Sequence, residues 1–163
     1  MDHLWTPWRS TYITGQAETK GCIFCDAAGD PSKDSETLVV YRGRLNFVIL
    51  NRFPYTTGHL MVAPYKHVAR LTAVSADTTA EMMQITRHSE EILERTYRPD
   101  GLNLGMNLGQ AAGAGIAQHI HLHMLPRWIG DANFMTTVAQ TRVMPESLGD
   151  TYEKLKAAFA GRP

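Results

Sequence analysis

The sequence predicts an α+β protein: an antiparallel sheet of about five strands, one long helix and a C-terminal helix. Three observations lead to this prediction. Several short runs rich in β-branched and aromatic residues could form strands. One long segment, residues 77–97, has apolar residues at helical spacing. A second apolar stripe with that spacing lies near the C-terminus. Strands that follow one another, with helices gathered on one face, are typical of this class.

Length and charge restrict the possible functions. The chain has 163 residues, enough for one domain with a sizeable core. Its 16 basic and 16 acidic residues cancel, which argues against binding a nucleic acid polymer through bulk charge. The sequence shows neither an apolar run of membrane-spanning length nor the pattern of a signal peptide. We therefore expect a cytoplasmic protein that does not contact a membrane.

The N-terminal part contains an aromatic arm and a cysteine pair. We expect residues 1–20 to pack on the body of the protein or on a second subunit, because the arm carries three large aromatic residues, Trp5, Trp8 and Tyr12. Cys22 and Cys25 form a Cys-x-x-Cys pair, which in a reducing compartment indicates a metal site or a redox pair. The polar stretch at residues 29–35 is typical of a loop.

Five short runs have the composition of strands. They are residues 38–41, 46–50, 59–63, 102–107 and 119–125. Gly43 predicts a hairpin between the first two, and Pro64 and Pro126 end the third and the fifth. Residues 108–117 form a loop rich in glycine and alanine.

Two segments are predicted to be helical. Thr78 and Glu81 form a possible capping box near the start of the helix at 77–97, and Pro99 ends that helix. The final helix is expected from about Pro145 to Phe159. The whole chain, residues 1–163, is then a single domain. Its parts are an arm (1–20), a core (20–135) and a C-terminal helical segment (136–163).

Three histidines alternate with apolar residues in the fifth strand. Because strand side chains alternate between faces, His119, His121 and His123 share one face and span roughly 13 Å. Such a row can bind a metal, or it can attack phosphorus through a neutral imidazole and form a covalent phosphorus–nitrogen intermediate. Three solvated histidines on an edge strand are the remaining alternative. Histidine is not favoured in strands, so an unbroken alternation of three histidines argues against this solvated alternative.

The loop before this strand, Asn107 to Gly115, is rich in small residues. They allow the backbone to approach a ligand closely, and their N–H groups can form an anion-binding nest. Beside the histidine row, the loop predicts a phosphate cradle.

These motifs resemble the histidine triad (HIT) superfamily of nucleotide hydrolases and transferases. The resemblance rests on His-φ-His-φ-His-φ-φ at 119–125, where φ is apolar, and on the motifs at 51–64 and 22–25. It covers roughly residues 20–135. The flanks at 4–9 and 126–135 are most similar to the bacterial diadenosine tetraphosphate phosphorylase-like branch. The resemblance implies a HIT-like fold.

The resemblance also implies roles for individual residues. His121 would be the nucleophile, forming a nucleotidyl-histidine that water or inorganic phosphate then resolves. His123 would help the leaving group depart, and His119 completes the catalytic triad. The residues expected to bind substrate are Asn51, His59, Phe47, Asn107, Gln110, Gly113, Ala114 and Gly115.

The resemblance also implies a metal site, as in zinc-bearing members of the superfamily, and a homodimer. The corresponding ligands here are Cys22, Cys25, His67 and His119, a closed tetrahedral set suited to structural zinc. A reduced cysteine pair without metal is the alternative. The superfamily also implies a homodimer whose ligand is a small nucleotide: AMP, ADP or a dinucleoside polyphosphate.

One departure from the superfamily bears on the choice of reaction. Ile116 stands where some hydrolase and phosphoramidase branches carry Ser or Thr, which argues against a phosphoramidase. We therefore favour cleavage of dinucleoside polyphosphates, with water or phosphate as acceptor. The alternatives are a purine nucleoside phosphoramidase, a non-catalytic nucleotide-binding protein and a zinc-binding interaction module. The last leaves His121 and His123 unexplained. We favour Trp128 as a core anchor, with a role in shaping the site of the second nucleotide as the alternative.

Overall fold

The computed structural model describes residues 21–138 and 144–161. The expected aromatic arm, with Trp5, Trp8 and Tyr12, lies outside the described residues. The described part of the chain forms one antiparallel sheet with helices packed against it, as the α+β prediction requires.

The sheet has five strands in the order β1-β2-β3-β5-β4, and every neighbouring pair is antiparallel. The strands are β1 (Val39–Arg42), β2 (Asn46–Leu50), β3 (Leu60–Pro64), β4 (Gly101–Gly105) and β5 (Leu122–Arg127). All residues of β2 and β3 are buried, so these two strands form the centre of the core.

Five α-helices lie among the described residues. They are α1 (Ile23–Gly29), α2 (Asp34–Thr37), α3 (Ala76–Tyr97), α4 (Phe134–Thr137) and α5 (Leu148–Phe159). Short 3-10 turns lie at Pro31–Lys33, Leu71–Ala73 and Gln110–Ala112. Helix α3 packs on β2 and β3, and α5 packs on α3 and β1. Among these helices, none has the length and apolar character needed to cross a bilayer.

The two faces of the sheet have different roles. Asn46 of β2 donates through its side chain to the carbonyl of Thr78 in α3, so the Asn46 face is covered by the helix. The register pairs Met61 with His123 on the opposite face, since side chains alternate along each strand. The histidine row therefore lies on the face away from the long helix.

The fifth strand begins later than expected. The prediction of a strand from His119 was wrong, because β5 begins at Leu122. The N–H of Ile120 donates to the carbonyl of Val68, which lies beyond β3 rather than in it. Pro64 ends β3 and has no N–H to extend the ladder.

The prediction of a loop at residues 29–35 was also wrong, because this segment contains a 3-10 turn and the start of α2. Asp30 accepts a hydrogen bond from the N–H of Ser32, and Pro31 occupies the first position of the turn. This combination of a capping acid and a proline is a helix-start signal that the sequence already contained.

The helix caps differ from the predicted ones. Ser75, not Thr78, caps α3, because the Ser75 hydroxyl accepts from the N–H of Thr78 at 3.2 Å. Ser147 caps α5 in the same way, so the last helix starts at Leu148 rather than near Pro145. Arg98 ends α3 in the left-handed conformation at φ 46°, directly before Pro99.

Glu81 connects α3 to the hairpin between β1 and β2. Its carboxylate accepts from the N–H of Arg44 at 3.0 Å, from the N–H of Leu45 at 2.6 Å and from the Asn46 side chain at 2.8 Å. These bonds hold the pKa of Glu81 below its usual value, against the opposing effect of burial. Glu81 therefore fixes the hairpin instead of capping its own helix.

We expect Glu81→Ala to lower the free energy of unfolding by about 2–3 kcal/mol, because three donors lose a charged acceptor at once. Urea denaturation measures this loss. Glu91→Ala, an exposed position on the same helix, is the matched control and should remain within about 0.5 kcal/mol of wild type. Equal losses in the two variants would contradict the role given to Glu81.

Candidate functional site

His121 is held in one tautomer by the backbone. Its Nδ1 lies 2.9 Å from the carbonyl oxygen of His119. A carbonyl can only accept, so Nδ1 carries the proton and Nε2 keeps its lone pair. His121 is 6% exposed, and burial lowers its pKa. His121 is therefore neutral at pH 7 and offers one unprotonated nitrogen.

A chain of hydrogen bonds sets the tautomer of His123. The N–H of Tyr55 donates to His59 Nδ1 at 3.2 Å, so His59 carries its proton on Nε2. His59 Nε2 then donates to His123 Nδ1 at 2.9 Å. His123 is left with its own proton on Nε2. His123 Nε2–H is thus a donor beside the Nε2 lone pair of His121.

Burial keeps both members of this pair neutral. It lowers the pKa of His59 to about 3 and that of His123 to about 4, with the neighbouring histidines adding to both shifts. His59 is fully buried and both its nitrogens are engaged. The structure therefore places His59 behind His123 rather than at an open surface.

These low pKa values predict acid sensitivity. Below pH 6.5 the unfolded chain binds protons at His59 and His123 that the folded protein does not bind, so stability falls as pH falls from 6.5 towards about 4. Each histidine contributes a slope of about 1.4 kcal/mol per pH unit. Urea denaturation at pH 7, 6 and 5 measures the total slope. His59→Gln should reduce this slope by about 1.4 kcal/mol per pH unit, the contribution of one proton. An unchanged slope would contradict the low pKa of His59.

Two aromatic rings border the histidine row. The Phe24 ring lies 4.7 Å from that of His121, and the Tyr55 ring lies 4.8 Å from His59 and 6.3 Å from His123. The rings follow the order Phe24, His121, His123, Tyr55. The sequence prediction missed both aromatics, although Phe24 stands between the two cysteines of the quoted 22–25 motif.

A cavity of about 320 Å³ opens beyond Tyr55. Thr57, Trp128 and Glu146 are among its lining residues. Thr57 is 8% exposed, and its hydroxyl has no hydrogen-bond partner among the described residues. Trp128, expected to be a core anchor, is half-buried in this wall. The Tyr55 end of the histidine row thus has room for a polar group.

The glycine-rich loop forms a compact turn. The N–H groups of Ala112 and Ala114 donate to the carbonyl of Gly109, and that of Gly113 donates to the carbonyl of Gln110. These three donors are used inside the loop, so they are not available to an anion in this conformation. The predicted nest would need the Gly113 and Ala114 donors to leave these bonds when an anion binds. Gln110 and Gly115 are exposed.

Asn51 and Asn107 stabilise turns through their side chains. The Asn51 carbonyl oxygen accepts from the N–H of Phe53 at 2.9 Å, and Asn107 Nδ2 donates to the carbonyl of Gly113 at 3.3 Å. Phe47 is 0% exposed and packs against Tyr65, so it offers no surface to a ligand in this structure.

The predicted metal ligands come together. One donor atom from each of Cys22, Cys25, His67 and His119 lies within 4.8 Å of the others. Elements distant in the sequence supply them: the start of α1, the turn after β3 and the segment before β5.

The geometry fits zinc. Bonds of about 2.3 Å to sulfur and about 2.0–2.1 Å to nitrogen place tetrahedral ligands roughly 3.5 Å apart. Cys22 Sγ lies 3.3 Å from His119 Nδ1, and Cys25 Sγ lies 3.1 Å from His67 Nδ1 and 3.7 Å from His119 Nδ1. His119 Nε2 donates to the carbonyl of Pro64 at 2.8 Å, which leaves Nδ1 unprotonated towards the sulfurs. With two sulfurs and two nitrogens the coordination is complete, so the site suits a structural zinc ion.

Comparison with known proteins agrees with this geometry. The HIT domain family model matches residues 32–128. An AP-4-A phosphorylase of Mycobacterium tuberculosis (strain ATCC 25618 / H37Rv) is 38% identical over 172 aligned residues, covering 100% of this chain and 87% of that protein.

Two solved structures share the fold. A Zn-bound histidine triad family protein from Mycobacterium smegmatis superposes with a TM-score of 0.69 at 30% identity, covering 87% of this chain and 95% of that one. A hypothetical histidine triad nucleotide-binding protein from Sulfolobus tokodaii gives 0.65 at 25% identity, covering 86% and 93%. The family model spans the sheet strands and the histidine row, and the phosphorylase aligns along the entire chain. The chain belongs to the HIT domain family.

Proposed function

We propose that this protein cleaves dinucleoside polyphosphates as a diadenosine tetraphosphate phosphorylase-like enzyme, through a nucleotidyl-histidine on His121. The observation that carries the proposal is the buried, neutral His121 ring, whose proton is held on Nδ1 by the His119 carbonyl. The identity of 38% with an AP-4-A phosphorylase supports the substrate class.

In the first step, His121 Nε2 attacks the α-phosphorus of diadenosine tetraphosphate. A phosphorus–nitrogen bond forms, and the bond from that phosphorus to the bridging oxygen breaks, releasing ATP. His123 Nε2–H can donate a hydrogen bond to the departing oxygen, which leaves as a phosphate oxyanion and takes no proton from the ring. His59 acts as a positioning residue, because it reaches the site through His123.

In the second step, an acceptor attacks the phosphorus of the nucleotidyl-histidine. Inorganic phosphate gives ADP, and water gives AMP. His121 is returned with its Nε2 lone pair. The same nitrogen is nucleophile and leaving group, so its neutral form serves both steps.

The cavity beyond Tyr55 supports a substrate with a large leaving group. Its volume of about 320 Å³ is in the range of small-molecule sites, and it is lined by Tyr55, whose ring lies 6.3 Å from that of His123. We propose that substrate contacts come from Asn51, Asn107, Gln110 and the segment 113–115. Of these groups, the Asn107 amide and the N–H groups of Gly113 and Ala114 would first have to exchange their present hydrogen bonds.

Product analysis tests the proposal. Pure protein is incubated with diadenosine tetraphosphate, with and without inorganic phosphate, and the nucleotides are separated by chromatography. ATP and ADP formed only with phosphate are the expected result. AMP and ATP without phosphate would make the enzyme a hydrolase. Absence of both, with release of amine from an adenosine phosphoramidate, would overturn the proposal in favour of the phosphoramidase.

We further propose a homodimer joined at β4. This strand pairs with β5 on one side, most of its residues are exposed, and Leu104 is 48% exposed. An exposed edge strand is a template for pairing with a second copy. Light scattering should give twice the chain mass, and a monomer mass would contradict the assembly.

Two further proposals concern the whole chain. We propose that residues 1–163 form a single domain, because α5 packs on α3 and β1 of the core. We propose a cytoplasmic location, because thiolate ligands such as Cys22 and Cys25 persist in reducing surroundings. Limited proteolysis and cell fractionation test these two proposals.

A further inference from the structure

His119 takes part in two sites at once. Its ring faces the cysteine sulfurs through Nδ1, 3.3 Å from Cys22 Sγ. Its backbone carbonyl accepts the Nδ1 proton of His121 at 2.9 Å. The bond that fixes the nucleophile is therefore made by a residue whose side chain is directed to the metal ligands.

A second connection runs through α1. Cys22 and Cys25 flank Phe24, whose ring lies 5.1 Å from that of His119 and 4.7 Å from that of His121. Phe24 is 0% exposed, so its ring is fixed by the core around it. A metal ion bound by the two cysteines would hold the backbone on both sides of Phe24.

We infer that His119 is a positioning residue, through which occupancy of the Cys22, Cys25, His67 and His119 site determines the tautomer and orientation of His121. The bound metal supplies four bonds that fix the His119 ring and the start of α1. With the ring fixed, the His119 carbonyl stays 2.9 Å from His121 Nδ1, and Phe24 stays against the imidazole.

Loss of the metal removes one of the two bonds that orient the His119 ring and leaves the bond to the Pro64 carbonyl. The segment before β5 can then move, because the sheet ladder begins only at Leu122. A proton shared between the two nitrogens of His121 makes Nε2 a nucleophile for only part of the time. The metal site thus controls the geometry of the histidine row in addition to stabilising the fold.

The functional meaning of this coupling rests on the proposed role of His121, but its test does not require turnover. Nitrogen-15 NMR of the histidine side chains reports which ring nitrogen carries the proton. In the zinc-loaded protein at fixed pH, we expect His121 to show one pyrrole-type and one pyridine-type nitrogen. After chelation, the two signals should move towards a common average while the amide signals of β2 and β3 keep their positions.

His67 offers a variant that leaves His121 and His123 unchanged. It is exposed, and its ring lies 5.1 Å from that of His119, beside which it is a metal ligand. His67→Ala should show the averaged His121 signals at limiting zinc and recover the separated signals with excess zinc. Lys66→Ala, its exposed neighbour, is the matched control and should match wild type at both zinc levels.

Cadmium provides a second measurement in case the metal-free chain unfolds. The larger ion keeps a thiolate–imidazole site but lengthens its bonds, so the fold persists while His119 is displaced. The His121 nitrogen shifts should then differ between the zinc and cadmium forms. Unchanged His121 signals in the folded metal-free protein, or in the cadmium form, would overturn the inference. Failure to cleave diadenosine tetraphosphate would instead count against the proposed function.

Discussion

His121→Ala is expected to reduce turnover of diadenosine tetraphosphate by at least about 10⁴-fold, because it removes the atom that forms the covalent intermediate. Alanine leaves the His59–His123 pair and the fold in place, since the only described hydrogen bond of the His121 ring is to a backbone carbonyl. Binding of AMP should therefore remain within about tenfold of wild type.

The measurement is single-turnover kinetics together with calorimetric titration of AMP. His88→Gln is the matched control, because His88 is exposed on α3, on the helix side of the sheet. It should retain wild-type turnover. Full activity of the alanine variant would refute the nucleophile and favour a protein in which the triad only holds its ligand. Unfolding of the variant, seen by circular dichroism, would remove the kinetic argument.

Removal of the metal is expected to have the largest effect on stability. The four ligands come from α1, the turn after β3 and the segment before β5, so metal binding joins parts of the chain that are distant in sequence. Binding energy at such a site adds to folding energy. Cys22→Ser should lower the melting temperature by about 10 °C or more, since about 1 kcal/mol corresponds to roughly 2–4 °C in a chain of this size.

Calorimetry with and without a chelator measures this effect, with the zinc content of each sample determined in parallel. Chelated wild type and Cys22→Ser should melt at similar temperatures, and added zinc should rescue wild type alone. A wild-type protein that loses its zinc without any change in melting temperature would show that the site contributes nothing to folding.

The sheet and the main helices were largely predictable, because their signals are local. Strand β2 has the predicted bounds, Asn46–Leu50, and α3 starts one residue before the predicted 77. Strand β2 is a short apolar run after Asn46, and the buried side chains of α3 recur at helical spacing, so a short window of sequence identifies each element. The metal ligands were also found correctly, since the resemblance placed four suitable side chains at known positions and the structure brings them together.

Tertiary contacts account for what the sequence missed. The start of β5 depends on Ile120 donating to Val68, a partner that no local pattern reveals. The bond between His59 and His123 depends on the register of β3 against β5, which pairs Met61 with His123. Phe24 reaches His121 only after α1 has folded against the histidine face.

The conformation of the loop after Asn107 was not predictable for a different reason. Glycine and alanine suit an anion-binding nest, but they suit an internally bonded turn equally well. Gly109 at φ 91° and Gly113 at φ 86° form the turn, and their neighbours' N–H groups are used within it. Composition could not distinguish the two.

The bond that fixes the nucleophile has an implication for mutational scans of this family. Every amino acid has a carbonyl, so no codon change at position 119 can delete the acceptor that faces His121 Nδ1. A library of substitutions would record the loss of the metal ligand at that position and attribute the whole effect to it. Only a change in the main chain itself, such as an ester in place of the following amide, would weaken that acceptor while leaving the His119 imidazole intact. Sequence variation alone would therefore underestimate how much of the catalytic geometry is encoded in the backbone.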